Sequence, residues 1–207
     1  MVSNYEITKR RVQKEFLKYD QEKMIQKFSL DSDDDFLYIR FISHLYRIHR
    51  RTGFLEWSED QFITCVEGDF YETLTIYDLL CDSKDHCQAA EDYINLKSLS
   101  PLQSGGKKLG DDLLGDQVKL FDHKEELLCR SCEKLGGIKA GKGDVAYEIP
   151  MFDFLSCRIQ FWNSDEEFEA SFQIFLDKNI LDFIRYETVW YAVSHLIKRL
   201  IDGLENE

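Results

Sequence analysis

Two cysteines three residues apart, Cys129 and Cys132 in "EELLCRSCEKL", are the residues here whose type and spacing best suit chemistry. Positions i and i+3 of a helix share one face, so the pair is able to chelate a soft metal or to act as a redox couple. "CDSKDHC" supplies Cys81, His86 and Cys87 as completing ligands, and four thiolates, or three with an imidazole, suit zinc or an iron–sulfur cluster. A redox pair normally stands at a helix start after a strand, whereas this one lies mid-helix with leucines on the same side. Packing of small apolar side chains is the simpler reading. Cys65 and Cys157 lie in apolar runs and read as core.

Charge provides two further candidates. "RFISHLYRIHRR" gathers Arg40, His44, Arg47, His49, Arg50 and Arg51 into one short stretch. Read as a single strand, it puts Arg40, His44 and Arg50 on one face and Arg47, His49 and Arg51 on the other. Such a patch suits an anionic ligand or an acidic protein partner through charge-assisted hydrogen bonds. The plainer reading is that these cations neutralise the chain's own acids and blunt an edge strand. In "FWNSDEEFEASFQIFLD", Asp165, Glu166 and Glu167 stand side by side between two apolar stretches. Catalytic carboxylates converge from separate elements, so adjacent acids after Asn163 and Ser164 read first as a hairpin tip, and second as a partner-facing or cation-facing surface. The run Asp31 to Asp35 reads as a solvated turn, because the glycine and closing glutamate of a calcium loop are missing.

No phosphate-binding P-loop, dinucleotide fingerprint or serine nucleophile elbow is present; "SGGKKLG" lacks the required spacing. Gly105 and Gly106 read as loop residues, and His123 and His195 as partly exposed helix residues. An enzyme would need a pocket beneath the glycine-rich loop of residues 100 to 117, where Asp144, an arginine and a histidine converge.

The 207 residues are 43% hydrophobic and 14% aromatic, which suits one globular domain. Lys and Arg number 26 against 39 Asp and Glu, a formal charge of −13, which argues against nucleic acid and anionic membrane surfaces as partners. The first residues lack the apolar run of a signal peptide, and no stretch approaches the ~20 apolar residues of a membrane span, so a cytoplasmic protein is expected. Six irregularly spaced cysteines then imply reduced thiols.

The elements that must position these residues follow from periodicity. Ser3 and Glu6 have capping-box spacing for a first helix over about 3–28. Phe36 to Ile48 reads as a strand, turned at Thr52-Gly53 into another at Phe54 to Trp57. Asp69 and Glu72 cap a helix whose inward face is Tyr71, Leu74, Tyr77 and Leu80. "YINLKSL", Tyr93 to Leu99, reads as a short strand, and the following loop has Leu113-Leu114 as its apolar anchor. A helix runs from Val118 to Leu135, closed by Gly136-Gly137. Leu155 to Phe161 and Phe168 to Leu176 alternate with period two and form a hairpin, and a helix from Tyr186 to Leu204 is expected to cover its apolar face. The fold class is α+β: an antiparallel sheet with helices on one side.

"GDVAYEIP" (Gly143 to Pro150), "DEEF" (Asp165 to Phe168) and "FQIFLD" ending at Asp177 together resemble a bacterial and archaeal domain-of-unknown-function family, the three-seven-eight-six domain. The resemblance spans about residues 36 to 202. Glu169-Ala170 stands where the family often has proline. The resemblance implies work near corrinoid or one-carbon chemistry in anaerobes, although this chain lacks the four-cysteine iron–sulfur segment joined to some relatives; the residues themselves favour a non-enzymatic accessory module that binds a ligand or a protein.

Overall fold

The computed structural model describes residues 3–99 and 115–205, which divide into two compact units. Residues 1–87 and 181–192 form one, and residues 88–180 with 193–207 form the other. The expected α+β class, antiparallel pairing and C-terminal helix are all present, with the strands distributed over two sheets. The loop from 100 to 114, including Gly105, Gly106, Leu113 and Leu114, lies outside the described residues.

The first unit opens with α1 (Asn4–Phe16) and α2 (Gln21–Phe28). The expected single helix over 3–28 is thus two. Ser3 caps the first by accepting from the Glu6 amide at 3.2 Å, and Asp20 starts the second by accepting from the Lys23 amide. A four-stranded antiparallel sheet follows in the order β1 (Phe36–Phe41), β2 (His44–His49), β3 (Leu55–Ser58) and β4 (Val66–Glu67). The stretch from Phe36 to Ile48 is therefore a hairpin and not one strand. Its turn is Ile42-Ser43, at φ 45° and 68°, and it pairs Phe41 with His44.

One face of this sheet buries Leu37, Ile39, Phe41, Tyr46 and Ile48, and Tyr46 on that face reaches the helix that follows the sheet, α3 (Phe70–Asp82). Asp69 and Glu72 form the expected capping box on α3, and the buried Glu72 also accepts from the Tyr46 hydroxyl at 2.8 Å. The inward face of α3 is centred on Ile76, Tyr77 and Leu79, whereas Tyr71 is exposed. Tyr77 meets the Phe16 ring and donates to the Gly53 carbonyl at 2.6 Å. Gly53 has φ 65°, and a Cβ there would stand 2.2 Å from the Gln13 carbonyl oxygen, so the turn before β3 requires glycine.

The second unit holds a five-stranded antiparallel sheet in the order β5-β9-β8-β7-β6. Here β5 is Tyr93–Asn95, β6 Ile138–Lys139, β7 Val145–Phe152, β8 Leu155–Trp162 and β9 Ser171–Asp177. "YINLKSL" gives only the three residues of β5 before a 3-10 turn over Leu96–Ser98. Alternation buries Val145, Tyr147 and Ile149 on β7, Cys157, Ile159 and Phe161 on β8, and Phe172, Ile174 and Leu176 on β9. The second hairpin strand starts later than its alternation suggests: Phe168 is 70% exposed and lies in the connection. On the polar face Arg158 pairs with Glu148 at 2.9 Å and covers the Tyr93 ring.

The helix expected over Val118 to Leu135 is a 3-10 segment, Gly115–Leu120, then α4 (Glu125–Lys134), because His123 takes φ 55°. Gly136 and Gly137 close α4 as expected, with the Gly137 amide donating to the Cys132 carbonyl. The last elements are α5 (Ile180–Phe183) and α6 (Tyr186–Glu205). Within the second unit α6 buries Val193, Leu196 and Leu200, and its Gly203 lies so close to Ser131 of α4 that a Cβ would fall 2.3 Å from that hydroxyl. Among the described residues no helix is long and apolar enough to cross a membrane.

Candidate functional site

The basic stretch is distributed differently from the single-strand expectation, because the Ile42-Ser43 turn shifts its register. Arg40, Arg47 and His49 share the outward face of the hairpin, His44 points to the buried face, and Arg50 and Arg51 follow β2. His44 stacks on Trp57 with ring centroids 3.8 Å apart and approaches Glu59 at 3.3 Å. Arg47 lies between the Phe36 and Phe62 rings, 4.3 and 4.4 Å from their centroids, and pairs with Glu56 at 2.6 Å. Arg50 pairs with Glu22 and Arg51 with Asp35, while the His49 ring accepts from the Arg51 amide. This stretch ties elements of the first unit together.

The acids at the second-unit hairpin have a turn geometry. The Asp165 carboxylate accepts from the amides of Glu167 and Phe168, both at 2.8 Å, and its own amide donates to the Phe168 carbonyl. Glu166 and Glu167 project from this turn into solvent.

The cysteines separate by environment. Burial pushes the Cys81 thiol up to about 12, with the negative charges of Asp82 and Asp78 adding to it, and burial also raises Cys87. Cys132 is fully buried on α4, and its thiol is raised first by burial and then by Cys129. Burial likewise holds Cys157 near 12, as its core position predicts. Cys65, expected in the core, is exposed, because the loop after β3 carries it outward to 3.5 Å from an Arg47 nitrogen. Among the described residues, no set of three closely grouped Cys, His, Asp or Glu ligand atoms includes a cysteine.

A concavity of about 350 Å³ opens in the second unit beside α4, at the β6 edge of the sheet. Two residues singled out by sequence, Cys129 and Asp144, line it together with Lys139 and Tyr147. Register explains part of this: Lys139 on β6 stands opposite Tyr147 on β7, so the two side chains share a face. Tyr147 is buried and donates its hydroxyl to Glu133 of α4 at 2.8 Å. Burial, Glu133 and Cys129 together raise its pKa, so the phenol is a neutral donor.

The strands β6 and β7 are joined by residues 140 to 144, "AGKGD". Gly141 takes φ 103° and Gly143 φ 135°; a Cβ would come within 2.7 Å of the Gln160 side-chain Nε2 at the first and 2.8 Å of the Phe161 carbonyl oxygen at the second. Only glycine lets the backbone lie this close to β8. The amides of residues 141 to 143 donate to no protein acceptor among the described residues, and neither Lys139 nor Lys142 has a carboxylate partner there. Both lysines are exposed. Sequence reasoning passed over them, although "KAGKG" places two cations among small residues, which is a visible signal for close backbone approach to a ligand.

The neighbouring polar groups are already occupied. Asp144 accepts from the Asn163 amide at 2.8 Å, and the Asn163 side chain also reaches Glu125. Ser164 donates to Asp122 at 2.6 Å and lies 3.4 Å from His123 Nε2. The Ser164 hydroxyl and amide bonds hold Asp122 below the ordinary carboxylate range. A serine that donates directly to a carboxylate is not activated by a histidine, so this trio lacks the relay of an acyl-transfer enzyme. The concavity thus presents the Lys139 ammonium and backbone amides without protein acceptors among the described residues, while the Tyr147 hydroxyl is held by Glu133.

A family profile described as "Domain of unknown function (DUF3786)" matches residues 20–199. No curated protein and no solved structure matches the chain.

Proposed function

Because the chain belongs to this family of domains of unknown function, we propose its role from its own residues: a non-enzymatic, cytoplasmic binding module that takes a small anionic ligand. The observation that supports this reading is the turn after β6: Lys139, Gly141 and Gly143 line the concavity of about 350 Å³, the exposed Lys142 stands between those two glycines, and the amides of residues 141 to 143 lack protein acceptors among the described residues. An anion fills both deficits at once, accepting hydrogen bonds from the amides and neutralising the ammonium groups. The cavity volume falls in the range of small-molecule sites, and a chain of net charge −13 disfavours a polyanionic nucleic acid partner. The association with corrinoid or one-carbon chemistry comes from the family resemblance alone, so the ligand class is drawn from the site.

The test is calorimetric titration of the full chain at low salt with inorganic phosphate and with glutarate. Saturable binding of either anion, weakened at least about tenfold by combined Lys139→Met and Lys142→Met, is the expected result. An unchanged affinity in the double variant, or no binding of either anion at millimolar concentration, would overturn the reading.

A further inference from the structure

The first unit contains a separate pocket of about 530 Å³ between α1, α3 and residues 185 to 191. Its lining carries the carboxylates of Glu15, Asp78, Asp82 and Glu187 against the guanidiniums of Arg11 and Arg185. Arg185 is occupied internally: its side chain reaches Asp78 at 2.5 Å and Asp82 at 3.3 Å, and its amide donates to Asp78 at 2.8 Å. Glu15 is held by Lys18 at 2.8 Å, so four carboxylates meet three cations, and the excess negative charge falls to the exposed Glu187 and to Asp82, which shares Arg185 with Asp78. Aromatic surface completes the wall. Tyr19 donates to Asp82 at 3.2 Å, Tyr77 lies beneath, and Tyr191 is fixed by stacking on Tyr71 and by an edge contact with Phe70.

Two neighbours report the local potential. Tyr19 is held above the ordinary phenol range, chiefly by the charge of Asp82. At Cys81 burial is the main cause, and Asp82, Asp78 and Glu15 all push the same way while Arg185 opposes them. Burial disfavours an ion of either sign, so only the charge contributions of Asp82, Asp78 and Glu15 speak for a cation here.

We infer that this pocket takes an organic cation with an apolar body, an amine or quaternary ammonium compound. Its charge would lie towards Asp82 and Glu187, and its body against the faces of Tyr19 and Tyr191. The inference is independent of the anion reading for the second unit, since the two rest on different residues.

Phenethylamine and its anionic counterpart 3-phenylpropionate are the probes, titrated into the full chain at neutral pH and low salt with ligand-observed NMR. Glu187 is exposed and its carboxylate makes no protein hydrogen bond among the described residues, so Glu187→Gln removes charge without unfolding the site. Arg11→Gln removes the opposing charge. The expected result is that phenethylamine binds and 3-phenylpropionate does not, with affinity falling about three- to tenfold in Glu187→Gln and rising in Arg11→Gln. A purely structural role would not move the two variants in opposite directions. Preference for 3-phenylpropionate, absence of phenethylamine binding at 10 mM, or affinity shifts of the same sign in both variants would overturn the inference.

Discussion

Two basic regions of this acidic chain invite comparison: the arginine-rich β2 stretch of the first unit and the lysine-bearing turn after β6 of the second. In the first, Arg47 is shared by Glu56 and two aromatic rings, Arg50 by Glu22 and Arg51 by Asp35. In the second, Lys139 and Lys142 stand beside glycines with no carboxylate partner among the described residues. The arginines are the denser signal in sequence, yet they are the ones consumed by the fold. A cation becomes a binding group through what its neighbours leave undone, and local charge density alone does not report that.

Stability and binding measurements can break this contrast. The largest effect is expected from Arg47→Met, which leaves a largely buried Glu56 without its cation and strips both ring contacts; urea unfolding should show a loss of about 2 kcal/mol. Combined Lys139→Met and Lys142→Met should change unfolding by less than about 0.5 kcal/mol while weakening anion binding about tenfold. If the lysine variant unfolds as easily as the arginine variant, the comparison fails.

Thiol chemistry sharpens it further. With an aromatic disulfide reagent at pH 8, Cys65 should react fastest in the native protein, because it is exposed beside Arg47, and Cys65→Ser should remove that phase. Cys81 and Cys157, whose thiols sit near pH 12, should remain unreacted until the chain unfolds. Fast labelling of Cys81 would mean that its pocket opens readily.

The smallest effect concerns the exposed loop after β3. Hydrogen bonds from Ser58 and Thr64 lower Asp60 to about 2. Its folded value lies below its unfolded value, so the contribution is complete above about pH 4 and is lost as pH falls towards 2. Asp60→Asn should therefore flatten the acid limb of the stability curve slightly and leave neutral behaviour nearly unchanged.

Where sequence and structure part, local chemistry explains the difference. The β7, β8 and β9 alternation was legible because each buries one face against a core, and Asp69 with Glu72 marks α3 unambiguously. The Ile42-Ser43 turn was not legible: β-branched isoleucine rarely takes positive φ, and here full burial of Ile42 overrides that preference. That single turn decides which face carries Arg40 and His44, so the site assignment inherited the error. The break between α1 and α2 had a signal in Asp20, a cap residue inside an otherwise helical pattern. Asp144 and Cys129 were chosen for reasons unrelated to their meeting, and only the pairing of β6 with β7 beside α4 brings them to one concavity.

The two-residue strand β6 has a consequence for self-association. A sheet edge with free amides and carbonyls is a template on which another copy can add a strand, and Ile138, 69% exposed, would favour such stacking. Its brevity, the lysine at its second position and the glycine turn beyond leave too little straight backbone for a second copy to zip onto. The turn proposed to present cations to a ligand would thus also act as a stop against polymerisation at that edge.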